Sequence, residues 1–392
     1  MGKYNFDEII DRENSDSLKY NWRERIFGKE DIIPLWVADM DFKSPDFCIK
    51  AIEERLSHPV LGYYSYPDSF YDSIIWWMRK RHQWEIKKDW IYFSPGVVPA
   101  LSAAVLAYTN EGDNVLVQTP VYHPFYYSIA NQKRNILKNP LKLVDERFEI
   151  DFEDLEEKLK QGVKLMLFCN PHNPLARAWE KDVLERIGKL CLKYNCIVVS
   201  DEIHSDLILP NYSHNPMAKI SKEISNNTIT LMAPSKTFNL AGLATAEVII
   251  ENKILRKRFT GVLYDGLHLF SGNVFGMVAL QAAYSEEGEE WLVELMEYIQ
   301  GNLDLLRDFI SKNHPRIKLL KHEATYLAWM DFSNYNLSHK ELMNVLVNEA
   351  MLGFNDGEIF GEEGKMKMRI NLALPRQKLA QALKQLEVIE KY

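Results

Sequence analysis

The chain has 392 residues, 46% of them hydrophobic and 26% charged, with a net charge of −8. That length suits two domains, the balance is that of a soluble globular protein, and the acidic excess argues against a nucleic-acid partner. The four cysteines, Cys48, Cys169, Cys191 and Cys196, form no C-x-x-C pair, which excludes a zinc ribbon and a disulfide framework.

Residues 1–33 are charged and irregular and read as an arm. The opening Met-Gly-Lys-Tyr-Asn-Phe-Asp-Glu is polar and does not read as a signal peptide, and Phe6 stands where myristoylation wants Ser or Thr. With no apolar run of membrane-spanning length, the cytoplasm is the expected compartment. Residues 34–42 are apolar around two acids, Asp39 and Asp41. Ser44-Pro45 reads as the cap and first turn of a helix over 45–57. Gly62-Tyr63-Tyr64-Ser65-Tyr66-Pro67 is an aromatic loop, and 68–82 has helical spacing.

An alternation follows. Strands are expected at 91–94, 115–118, 163–169, 196–200 and 228–232. The first runs into Gly96-Val97-Val98 and an alanine-rich helix ending near Tyr108. The next three run into Pro120-Val121-Tyr122, Asn170-Pro171-His172-Asn173-Pro174 and Asp201-Glu202-Ile203-His204. The last runs into Ala233-Pro234-Ser235-Lys236. A helix is expected over 180–195. Helices at 287–313, 338–350 and 376–391, with strands at 324–330 and 366–372, suit a smaller C-terminal α/β unit. Alternating strands and helices argue for a mostly parallel sheet, whose ligands bind beyond the carboxyl ends of the strands. All five polar motifs sit there.

The residue types suggest what the rim does. Lysine is rarely buried without a partner, and desolvation makes its amine a nucleophile or Schiff-base former. Lys236 ends an apolar strand in a weakly charged loop; the alternative is a surface lysine. Asp201 follows a buried strand and needs a positive partner. A metal site of Asp201, His204 and Asp206 is the rival reading. Asn173, extended before Pro174, offers an amide donor or simply makes a turn. Gly96, Val97 and Val98 open a helix whose N–H groups suit a phosphate, beside the Ser235 hydroxyl. Arg369 lies mid-strand and wants an anion, either a substrate carboxylate or a structural partner.

Ser235-Lys236-Thr237-Phe238-Asn239-Leu240-Ala241-Gly242-Leu243 resembles the cofactor-lysine segment of fold-type I pyridoxal-phosphate (PLP) enzymes. It is most similar to the cystathionine β-lyase (MalY/PatB, C–S lyase) branch of the class I/II aminotransferase family. The resemblance runs from Pro34 to Arg376. It implies an aspartate-aminotransferase-like α/β fold divided as 1–44 (arm and part of the small domain), 45–286 (large PLP domain) and 287–392 (small domain). It implies that Lys236 carries PLP. Gly96, Val97, Val98, Ser235, Tyr122, Asn173, Asp201 and His204 then bind the cofactor, while Arg369, Asp39 and Tyr122 meet an amino-acid substrate. It further implies a homodimer in which Tyr63, or Tyr64 if the register slips, reaches the neighbouring cofactor phosphate. No metal is expected.

Two departures stand out. Ala176 replaces the glycine usual in the family, with Arg177 kept. No arginine follows Lys236 before Arg256, unlike the classical aminotransferases and in keeping with the lyase branch. The expected activity is PLP-dependent cleavage of a Cβ–S bond to thiol, pyruvate and ammonia. Transamination is the alternative in the same fold. A metal-dependent hydrolase and a non-catalytic protein-binding regulator are the alternatives outside it.

Overall fold

Seven segments pair into one sheet in the computed structural model, which describes residues 2–392. They are β1 (Ile91–Ser94), β2 (Asn114–Thr119), β3 (Asn135–Pro140), β4 (Leu165–Cys169), β5 (Ile197–Asp201), β6 (Thr228–Met232) and β7 (Ala246–Ile249). Their order across the sheet is β1-β7-β6-β5-β4-β2-β3. Every residue of β4 and β6 is buried, as continuous apolar strands covered on both faces must be. Strands β3, β2, β4, β5 and β6 are mutually parallel, with Cys169 of β4 level with Asp201 of β5. β7 runs antiparallel to both β1 and β6, so β1 points the same way as β6. The carboxyl ends of β1, β2, β4, β5 and β6 therefore lie on one rim.

The sequence reading had no strand at β3 or β7. β3 is an edge strand of mixed polarity. β7 is interrupted by Glu247, a buried carboxyl that accepts the Tyr284 hydroxyl and is pushed up to about 8 by burial. Charge in a four-residue strand conceals its apolar pattern.

The main helices are α1 (Asp46–Leu56), α2 (Asp68–His82), α3 (Val97–Tyr108), α4 (Lys181–Lys193), α5 (Val274–Ala283), α6 (Glu286–Asn313) and α7 (Arg376–Leu386). The Ser285 hydroxyl caps α6 at Gly288 N–H, and Glu286, Glu287 and Glu289 complement its dipole. The helix expected over 338–350 is α-helical only over His339–Asn344 and then widens into a π turn. The arm expected to be irregular contains two short helices, Leu18–Asn21 and Arg23–Phe27.

A second, antiparallel sheet has the order β8-β9-β11-β10, from β8 (Lys318–Leu319), β9 (Leu327–Asp331), β10 (Asn355–Asp356) and β11 (Lys367–Asn371). One apolar core joins arm residues Phe6 and Leu35, α2, α5, α6 and the second sheet, so packing continues across residue 286.

The turn after Pro174 is tied to this second unit. Ala176 takes φ +52°, the left-handed region in which a glycine is less strained, and its carbonyl accepts Glu323 and Ala324 N–H at 3.0 Å each. Arg177 is buried beside Glu323 (2.8 Å) and Glu180 (2.6 Å), and Arg147 also reaches Glu323 (2.7 Å). Arg177→Ala leaves Glu323, which is wholly buried, with one cation. The expected loss is about 3–5 kcal/mol of stability, measured by urea unfolding.

Candidate active site

The five strand ends enclose a cavity of about 160 Å³. β1 leads to Gly96, Val97 and Val98, and β2 leads to Tyr122. β4 supplies Cys169 and Asn173, β5 supplies Asp201, Ile203 and His204, and β6 leads to Ser235 and Lys236. Nine expected site residues thus share one wall. Gly96 has φ +118°, which lets the chain turn from β1 into α3 and present the first N–H groups of that 12-residue helix to the cavity.

Lys236 leaves a single helical turn after β6, and its Nζ donates to the Ala38 carbonyl at 2.7 Å. Burial pushes the amine down to about 8, assisted by Arg369 and opposed by Asp39 and Asp201. The next residue, Thr237, donates its hydroxyl to Asp206 at 2.9 Å.

Asp201 is pushed up to about 7 by burial, reinforced by Glu202. One oxygen accepts Ile203 N–H at 3.1 Å, and no ion pair neutralises the group among the described residues. Burial holds His204 well below its ordinary value, so its ring is neutral.

Arg369 does not line the cavity but reaches it through Asn173. Its Nη1 donates to Asn173 Oδ1 at 2.9 Å, and its Nη2 donates to Trp36 O at 2.9 Å and to Asn355. Its Nε is buried without a partner, and burial pushes the guanidinium down to about 10. No carboxylate pairs with it among the described residues.

Asp39 is also off the cavity wall. Its carboxylate accepts from Arg12 at 2.6 Å, and Asp41 pairs with Arg12 (2.7 Å) and the buried Lys19 (3.1 Å). Tyr63 is fully exposed and away from its own chain's cavity, while Tyr64 is half-buried against Tyr66.

The rival metal reading loses its third ligand. Asp206 is spent on Trp77 (3.2 Å), Thr237 and His82 (3.0 Å). Elsewhere His339, Asp356 and Glu358 converge. There Met366 N–H donates to His339 Nδ1 at 3.1 Å, and Nε2 faces Asp356 at 3.0 Å.

Three features were missed in the sequence. Tyr326 donates its hydroxyl to the same Ala38 carbonyl at 3.0 Å. Asn371 donates to Val37 O and Asp39 O at 2.7 and 2.6 Å. Asn239 binds the backbone at Met40 and Phe42. Asn371 was findable, since residues two apart on a strand share a face and Arg369 was already singled out.

These residues fit PLP. Asp201 is a buried carboxyl lacking a cation, which a protonated ring nitrogen supplies. The Asn173 amide N–H2 has no partner among the described residues. The α3 N-terminus faces the cavity as an anion site, yet no arginine lines it. Arg256 is engaged with Asp89 at 3.0 Å.

Comparison with known proteins agrees. The family described as aminotransferase class I and II matches residues 30–386. Cystathionine beta-lyase PatB of Bacillus subtilis (strain 168) is 43% identical over 94% of this chain and 95% of its own. A PLP-bound putative aminotransferase from Clostridium difficile 630 superposes with TM-score 0.96 at 42% identity, covering 98% of this chain and 99% of that one. The PLP-bound C–S lyase from Staphylococcus hominis superposes with TM-score 0.91 at 33% identity over 98% of both chains. With its lysine, aspartate and helix N-terminus gathered on one strand-end rim and a match over nearly its whole length, the chain belongs to the class I and II aminotransferase family.

Proposed function

We propose that the chain is a PLP-dependent C–S β-lyase that converts cystathionine, cystine or related cysteine conjugates to a thiol, pyruvate and ammonia. The observation that carries this reading is a single cavity uniting a depressed lysine, a buried carboxyl without a cation and a helix N-terminus lacking arginine. The 43% identity to a protein named cystathionine beta-lyase supports it.

Gly96, Val97, Val98 and Ser235 would hold the cofactor's phosphate, and Tyr122 would face its ring. Asn173 and Asp201, with neighbouring His204, would hold the ring's polar atoms, and Lys236 would carry the cofactor until the substrate's amine displaces the lysine. Bound PLP supplies an electron sink for negative charge at the substrate's Cα. Lys236 Nζ removes the Cα proton; an amine near 8 is partly neutral at physiological pH and so a competent base. Arg369 takes the α-carboxylate, which satisfies its free Nε and returns an anion to a buried cation. Asp39, paired with Arg12, stands at the approach to the substrate.

The units 1–44, 45–286 and 287–392 are taken as arm, cofactor domain and small domain. Among the described residues no helix is long and apolar enough to cross a membrane. We assign the protein to the cytoplasm, where its four free buried thiols stay reduced.

Cystathionine should yield pyruvate with no added keto acid. Strict dependence on a keto-acid acceptor moves the assignment to aminotransferase.

We also propose a homodimer in which Tyr63 crosses to the neighbouring phosphate, where the cavity has no arginine. Tyr63→Phe should weaken PLP retention by about 1–3 kcal/mol, the range for a hydrogen bond to a charged group. In a mixed dimer of Tyr63→Phe and Lys236→Ala subunits, the only working lysine receives an intact tyrosine from its partner. PLP retention near wild type at that lysine supports the crossing; a weakened site places the tyrosine in its own subunit.

A further inference from the structure

Residues 36–42 form neither helix nor strand, so side chains must fix their shape. Asn239, three residues beyond Lys236, does this on the side facing the lysine. Its Oδ1 accepts Met40 N–H at 3.0 Å. Its Nδ2 donates to Met40 O at 3.1 Å and Phe42 O at 3.0 Å. The Ser44 hydroxyl donates to its main-chain carbonyl at 3.0 Å. A carboxamide offers one acceptor and two donors, and here all are used as a neighbouring strand would use them. Asn239 has φ +56°, which asparagine tolerates and glycine would suit equally. The carboxamide is what sets asparagine apart at this position.

Two residues before Met40, the Ala38 carbonyl receives both Lys236 Nζ (2.7 Å) and the Tyr326 hydroxyl (3.0 Å). The lysine loop thus meets this segment twice, through the amine and through Asn239. The segment's other attachments, among them Asn371, Arg12, Lys19, Arg369 and the Ala373 carbonyl, come from elsewhere in the chain.

We infer that Asn239 is a positioning residue for Lys236, acting through the backbone of residues 38–42 to fix the carbonyl against which the amine rests. The inference depends on Lys236 being the lysine of the proposed chemistry. The charged and titratable groups around the amine are Asp39, Asp201, Arg369 and neutral His204, together with Tyr326 on the same carbonyl and Tyr122 and Cys169 on the cavity wall. Releasing the segment admits water to that side and returns the amine toward an ordinary lysine.

The test uses Asn239→Gly, which keeps the backbone conformation, and Asn239→Asp, which keeps size and acceptor but sets a carboxylate against two carbonyls. In cofactor-free protein, the pH dependence of acetylation at Lys236 is followed by peptide mass spectrometry. The midpoint should rise by about one unit in both variants as desolvation is relieved. In loaded enzyme, kcat for cystathionine should fall about 10- to 100-fold, the cost of a misplaced group, with KM little changed. A lowered melting temperature with unmoved midpoint and kcat makes Asn239 merely structural and overturns the inference. Should Asn239→Gly fail to fold, kcat and KM of the near-isosteric Asn239→Asp decide, because its added carboxylate raises the lysine midpoint by charge alone. Wild-type enzyme that makes no pyruvate defeats the functional reading instead, whatever the midpoints show.

Discussion

Lys236→Ala should lose about 10²–10⁴-fold in kcat or more, the contribution of a positioned general base, together with the visible absorbance of bound PLP. Two losses are expected because one amine has two tasks. Among the described residues it is the only lysine on the cavity wall, and its Nζ sits 2.7 Å from the Ala38 carbonyl in a pocket that depresses it to about 8. A free alkylamine added to the variant should restore part of the proton transfer but not the covalent attachment. Full activity in Lys236→Ala would remove the residue from the mechanism.

Asp201→Asn should lower kcat by about 10²–10³-fold, the usual cost of deleting one preorganised electrostatic group. Asparagine keeps the shape and cannot balance a cationic ring nitrogen. The same substitution has a signature in cofactor-free protein. Asp201 titrates near 7 when folded, against an ordinary value of 3.8. Below the ordinary value the folded and unfolded chains are both protonated there, and burial carries no penalty. As pH rises from 3.8 through 7, the unfolded chain ionises first, so stability is lost, by about 4 kcal/mol at most. Glu247, held near 8 by burial, adds a loss of the same sign. Asp201→Asn removes the first portion and leaves the second. A protonated ring nitrogen opposite Asp201 would reverse that portion, so the melting-temperature gap between loaded and empty wild type should widen with pH. An Asn variant whose empty form follows the wild-type pH profile contradicts this.

The rim was legible because each of its strands is a short apolar run ending in a loop whose few polar residues have nothing else to do. Lys236, Asp201 and Asn173 were therefore candidates from local pattern, and the family resemblance supplied their roles. Arg369 was visible for the opposite reason, as a charge inside a strand. Asp39 was not legible in detail: its neutralising partner Arg12 lies 27 residues upstream in a segment with no periodicity. Asn239 and Tyr326 were hidden because their work is done on carbonyls of an irregular segment that only the fold brings alongside. Ala176 shows a second limit, since sequence marks an unusual residue at a turn but not that the turn keeps its left-handed geometry regardless. The role proposed for Tyr63 depends on a second chain, and a single chain displays only its full exposure.

Borohydride reduction of the intact, PLP-loaded protein, followed by peptide mapping, tests the assignment of the cofactor lysine most directly. One pyridoxyl group per chain is expected, on the peptide containing Ser235-Lys236-Thr237. A pyridoxyl group on any other lysine, or none on this peptide, contradicts the account of the site.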